Sequence, residues 1–205
     1  MVKIGMNRRL RSNQVVRPHH MIYKTGFFWA RVNPPHAGHL WVIKRALLQV
    51  DRLIVVIGSA ERKYEKGNPF SGNERKKMLE AYLKEEHIDT RRVKVFAIAD
   101  PDMSIKKGVG YVMDSVPAFD VIFSTHELKE QKTGIKMKVE KAIEEEAKRR
   151  KIRIIRFRRT GPISSTRIRE GIAHGRAWEH MTGKSVARTI RKMGGIKRIK
   201  KLHGL

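Results

Sequence analysis

Two short stretches of this sequence carry side chains suited to gripping phosphate. The first reads Arg31-Val32-Asn33-Pro34-Pro35-His36-Ala37-Gly38-His39, with two imidazoles about one helical turn apart around a glycine. The second reads Ile163-Ser164-Ser165-Thr166-Arg167-Ile168-Arg169, hydroxyls followed one turn on by a guanidinium. A helix opening at either stretch would present unpaired backbone N–H groups and the positive end of its dipole, where phosphate binds readily. Gly38 would let a phosphate or base approach the backbone closely, and the planar fork of Arg169 matches phosphate oxygens in pairs. Plainer readings stand beside these. Ser164 taken alone is a helix cap by default. The histidines could be packed structural residues or metal ligands, although no nearby Cys or acid completes a tetrahedral set.

The elements that would position these groups follow from hydrophobic patterning. Phe27, Phe28, Trp29, Ala30 and Val32 form a compact apolar run expected of a buried parallel strand. It stops at Asn33-Pro34-Pro35, since proline cannot donate to a sheet ladder. A helix should follow from about His39 with Leu40, Ile43, Leu47 and Leu48 on one face. Leu53 to Ile57 reads as a second strand closing at Gly58-Ser59, and residues 60–70 as a polar loop. Ser71 with Glu74 has capping-box spacing and opens a helix to about Leu83. Further strands fit Val93 to Ile98, Val121 to Phe123 and Ile152 to Phe157. Helices fit Tyr111 to Ser115, Val139 to Arg150 and Ser164 to Ala173, with short basic helical pieces at the end. This alternation predicts an α/β architecture, an open parallel sheet flanked by helices with right-handed crossovers and a C-terminal basic helical extension. Ligands in such sheets bind at the carboxyl ends of the strands near the topological switch point.

Taken together and in this order, the two phosphate stretches resemble the nucleotidyltransferase superfamily, whose signature is H-x-G-H early and I-S-S-T-x-x-R late. Gly58-Ser59-Ala60, Asn68-Pro69-Phe70 and Glu74-Arg75 look like the G-S-A, N-P-F and E-R series of archaeal nicotinamide-nucleotide adenylyltransferases. Pro101-Asp102, Tyr111-Val112, Val116-Pro117, Trp178-Glu179 and Lys184-Ser185-Val186 are similar too, so the likeness runs from about residue 25 to 202. No P-loop competes, because Trp178 stands where a glycine would have to precede Gly183-Lys184-Ser185. The resemblance implies a Rossmann-like nucleotidyltransferase fold and a Mg²⁺-dependent transfer of AMP from ATP to nicotinamide mononucleotide. It puts His36, His39 and Arg31 at the ATP phosphates, and Gly58 and Ser59 along the nucleotide site. Asn68 and Phe70 would bound a loop over that site with Arg75 behind them, and Ser164, Thr166 and Arg169 would hold the β- and γ-phosphates. Homo-oligomers are common in the family. Where the family commonly has G-R-F-Q-P, this chain has Ala30-Arg31-Val32-Asn33-Pro34. Gly108 stands in place of a family tryptophan and His126 in place of an asparagine, His126 being read as a surface-loop residue and Trp29 as core. These departures fall on the acceptor side, so another phosphorylated acceptor, such as phosphopantetheine or a flavin nucleotide, is the alternative.

Composition bounds the rest. The 205 residues suit one domain, with residues 1–24 as a basic arm and 25–205 as the nucleotidyltransferase domain, unless translation begins at Met21. The absence of cysteine removes disulfides, thiolate metal sites and a cysteine nucleophile, and fits a reducing, cytoplasmic setting. No apolar run approaches the ~20 residues a membrane span requires, and no secretory signal is recognisable. The formal charge is +26, and residues 1–24 and 182–205 supply six and eight Lys/Arg with no acid. Those ends could bind nucleic acid weakly, and a basic nucleic-acid-binding protein reusing the fold is the reading from another class.

Overall fold

A computed structural model describes residues 22–126, 134–158 and 161–205. Five strands, β1 (Tyr23–Ala30), β2 (Val50–Ile57), β3 (Val93–Ala97), β4 (Val121–His126) and β5 (Arg153–Arg158), form one parallel sheet in the order β3-β2-β1-β4-β5. The strand order reverses between β1 and β4, which makes the carboxyl end of β1 the switch point of a Rossmann-like sheet.

Among the described residues seven α-helices connect and cover the strands: α1 (Ala37–Leu47), α2 (Gly72–Glu85), α3 (Ile105–Asp114), α4 (Gly134–Arg149), α5 (Ser165–Ala173), α6 (Lys184–Lys192) and α7 (Gly195–Leu202). Alternate strand residues feed two cores. Phe28, Val55, Ile57 and Phe123 pack with α1, α2, α5, α6 and α7 on one face, while Phe27, Ile54, Val56 and Ile122 pack with α3 and α4 on the other. Both faces are covered, which is why β1, β2 and β4 are apolar runs rather than alternating ones. Among the described residues no helix is long and apolar enough to cross a membrane.

Several boundaries differ from the sequence expectation. The first strand starts at Tyr23, inside the stretch read as an arm, because Tyr23 pairs in register with Val50; residues 1–21, including Met21, lie outside the described residues. Leu48 is 75% exposed. At about 100° per residue it sits a quarter-turn away from Leu40, and Val42 and Ala46 fill the buried side instead. α3 begins at Ile105 rather than Tyr111: Val109, Val112 and Met113 are buried at helical spacing, and Gly108 and Gly110, poor helix formers, masked the signal. β4 runs on to His126, which pairs with Arg158 and so ends a strand instead of lying in a loop.

Candidate active site

The turn leaving β1 is built around the two histidines. His36 is the N-cap of α1: its Nδ1 accepts the Gly38 N–H at 3.0 Å, while the Nδ1 of His39 accepts the His36 N–H at 3.3 Å. This reciprocal box has the geometry that Ser71 and Glu74 give α2. The rings lie 3.8 Å apart, tilted by 37°. With each Nδ1 accepting, the proton of each neutral imidazole resides on Nε2. A Cβ on Gly38 would fall 2.8 Å from Cε1 of His36, so the first demand for glycine there is the imidazole folded over the helix start.

The second phosphate stretch is clasped to this turn. Three successive carbonyls receive side chains from the far end of the chain. Arg169 Nη1 donates to Asn33 O at 2.8 Å, Ser165 Oγ to Pro34 O at 2.8 Å and Thr182 Oγ1 to Pro35 O at 2.7 Å. The other guanidinium branch of Arg169 donates to Thr166 Oγ1 at 3.2 Å. Ser164 caps α5, its Oγ accepting the Arg167 N–H at 3.2 Å. Burial lowers the pKa of Arg169, and the nearby positive charge of Arg31 lowers it further. Two guanidiniums thus share a neighbourhood where an anion would relieve their repulsion.

The turn after β2 is held from behind. Arg75 is fully buried and donates to four carbonyls, those of Ser59 (2.7 Å), Arg31 (2.8 Å), Gly58 (2.9 Å) and Ser71 (3.3 Å). Burial pulls its pKa down to about 10, so it stays charged at neutral pH. Asp100 fastens the same turn from the front, accepting from Ser59 N at 3.0 Å and Ser59 Oγ at 2.6 Å. Val32 and Ser59 both adopt left-handed backbone, with φ of 51° and 50°. That conformation is unusual for any L residue and costly for a β-branched one, so the strain sits in the two turns that Arg75 bridges. Gly58 is glycine for packing: a Cβ would fall 2.3 Å from Nε1 of Trp29, which leans from β1 against the α3–α4 core. Asn33 and Asn68 are also buried; Asn33 Nδ2 donates to Asn68 Oδ1 at 3.2 Å, and Asn33 Oδ1 has no hydrogen-bond partner.

Around the carboxyl ends of β1 and β2 and the start of α5, the structure gathers Arg31, His36, Gly38, His39, Gly58, Ser59, Ser164, Thr166 and Arg169. Phe70, expected to bound the loop over the site, and Arg75, expected behind it, have no exposed surface: Arg75 bonds these turns from beneath, and Phe70 packs against Gly195 of α7. Ser165, Thr182 and Asp100 are the residues that sequence reasoning passed over. Ser165 stood inside a quoted motif, but nothing in the sequence marked Thr182 or Asp100. Gly108 lies in the first turn of α3, where a Cβ would sit 3.6 Å from Pro101, an ordinary contact that does not require glycine.

A parallel sheet whose switch point carries paired imidazoles, hydroxyls and guanidiniums, with no cysteine nucleophile, defines a nucleotidyltransferase. The chain belongs to the cytidylyltransferase-like family, which matches residues 27–171, and within it to the nicotinamide-nucleotide adenylyltransferases. It is 32% identical to the nicotinamide-nucleotide adenylyltransferase of Pyrobaculum arsenaticum, covering 85% of this chain and 92% of that one. It is 33% identical to that of Thermococcus kodakarensis, over 87% and 88% respectively. Among solved structures, a bifunctional NMN adenylyltransferase/ADP ribose pyrophosphatase from Francisella tularensis, complexed with AMP and a Mn ion, superposes with a TM-score of 0.69 at 20% identity. The match covers 88% of this chain but 52% of that one, so the chain spans about half the length of that structure and shares its fold.

Proposed function

We infer that the protein transfers the adenylyl group of ATP to nicotinamide mononucleotide, giving NAD and pyrophosphate. The observation that carries this reading is the clasp: three carbonyls after β1 joined to Arg169, Ser165 and Thr182, which sets the imidazole turn beside the hydroxyl-and-guanidinium turn. An oxygen of the acceptor phosphate attacks the α-phosphorus of ATP. The bond from that phosphorus to the β-bridging oxygen breaks, and pyrophosphate leaves. No protein nucleophile takes part. His36 and His39 offer neutral Nε2–H donors, and Arg31 and Arg169 supply positive charge where the phosphates gather negative charge; catalysis is positioning and electrostatic preorganisation. Ser164, Thr166, Gly38, Gly58 and Ser59 line the nucleotide, while Asn68, Phe70 and Arg75 support its turns.

Among the described residues no three His, Asp or Glu gather as a metal cage, and the site's donors are cations and N–H groups. Such a site fits Mg²⁺ entering with ATP, held by phosphate oxygens and water. The ion would screen phosphate charge during transfer.

Incubation with ATP, Mg²⁺ and nicotinamide mononucleotide, read by chromatography, should give NAD and pyrophosphate in equal amounts. A parallel panel with phosphopantetheine and flavin mononucleotide should give none. Pyrophosphate release with another acceptor and no NAD would overturn the acceptor assignment.

A further inference from the structure

We propose that the outer faces of α6 and α7 form a docking surface for double-stranded nucleic acid, contacted through its phosphates. Arg188 and Lys192 on α6, and Lys197, Lys200 and Lys201 on α7, are all exposed. Among the described residues none of the five has a carboxylate partner, whereas the two other arginines of these helices are paired, Arg191 with Glu179 at 2.5 Å and Arg198 with Glu74 at 2.9 Å.

The arrangement differs from an ordinary wet face. On α4, Lys136, Lys138, Lys141 and Lys148 are interspersed with Glu140, Glu144, Glu145 and Glu146, the mixture that keeps a solvated helix soluble. α6 and α7 contain no acid. Arg188 with Lys192 and Lys197 with Lys201 stand at i, i+4, where like charges destabilise a helix by a few tenths of a kcal/mol per pair. A polyanion removes that repulsion.

Two features select the kind of polyanion. A membrane-binding helix needs its apolar side to enter lipid. Here Val186, Ala187, Ile190 and Ile199 are buried in the core, and Leu205 is the one large hydrophobic residue exposed between Thr182 and the end of the described chain. Single strands are gripped by stacking bases on aromatic rings; residues 182–205 contain no Phe, Tyr or Trp, and the exposed ring beside them, Tyr64, is already engaged by the Arg198 guanidinium at 4.6 Å and the Lys63 ammonium at 5.7 Å. What remains is sequence-independent contact with a duplex backbone. The platform is rigid: Gly195 packs so closely that a Cβ would fall 2.8 Å from Phe70, and Arg198 donates to Pro69 O at 3.1 Å.

The test is fluorescence anisotropy of the full chain with a labelled 20-base-pair DNA duplex across a salt series. Five phosphate contacts give a slope of log affinity against log salt of about −4.5, roughly a 500-fold loss between 50 and 200 mM. The Lys192→Gln/Lys197→Gln/Lys200→Gln/Lys201→Gln variant should reduce that slope by about 3.6 and leave ATP turnover unchanged; the milder Lys197→Gln/Lys201→Gln variant should reduce it by about 1.8. An unchanged slope in both variants overturns the proposal. So does a slope that falls only when Lys3, Arg8, Arg9, Arg11 and Arg17 are changed to Gln, or equal or tighter binding to a 20-nucleotide single strand or to phosphatidylserine vesicles.

Discussion

Replacing Arg75 by lysine keeps the buried charge and removes the fork, and so isolates what the fork does. The guanidinium serves four carbonyls on the two turns and the α2 cap, at 2.7 to 3.3 Å. An ammonium is one nitrogen at the end of a flexible stem and can serve one or two of them. At least two buried carbonyls then lose their donor, each at about 1–3 kcal/mol, and about 3 kcal/mol is a central expectation. For a chain of this length, about 2–4 °C accompanies each kcal/mol, so the melting temperature should fall by about 6–12 °C. The left-handed Val32 and Ser59 would relax once their turns are released, so turnover should fall even at temperatures where the variant is folded. Calorimetry and pyrophosphate release at saturating ATP measure the two effects separately. A melting temperature within 2 °C of the parent together with unaltered turnover would refute the reasoning.

Other perturbations follow from the same geometry. Gly38→Ala puts a methyl 2.8 Å from the His36 ring and displaces the imidazole; kcat should fall by about 10²-fold, the loss of one preorganised donor, with melting little changed. Glu146 is held at a pKa of about 2, chiefly by its hydrogen bond from Arg149 and also by Arg150, with burial opposing. A depressed carboxylate stabilises fully above its unfolded pKa of 4.5 and loses that contribution as pH falls toward about 2. Glu146→Gln should therefore flatten the stability curve across that acid window in chemical denaturation. α6 has no cap of its own, and Glu85 of α2 supplies one, accepting from Lys184 N at 2.9 Å and Ser185 N at 2.8 Å. Glu85→Ala should cost about 1–3 kcal/mol, seen as a shifted urea midpoint at constant m-value; no shift would show that water replaces the cap.

How much of this was legible beforehand depends on the range of each interaction. Ser71 with Glu74, the apolar runs of β1 and β2 and the imidazole pair lie within one or two turns of chain, where residue type and spacing together specify geometry. The sheet class and the start of α2 followed from such patterns, whereas α3 and α4 begin several residues before the expected Tyr111 and Val139, and the two phosphate stretches were joined by the family resemblance. His36 as a cap was missed, the helix being expected from about His39, although its spacing to His39 is that of a capping box.

The strand order, the clasp at Asn33 to Pro35, the fate of Arg75 and the role of Asp100 belong to the tertiary structure. Apart from Ser71 O, four residues from Arg75, and the Ser59 hydroxyl that donates to Asp100, their partners are backbone groups 16 to 147 residues away. Every residue has a carbonyl, so no residue type marks which carbonyl will receive Arg169, Thr182 or Arg75. Packing of helices on the sheet decides that, by bringing some main-chain acceptors within reach of a donor and leaving others to water.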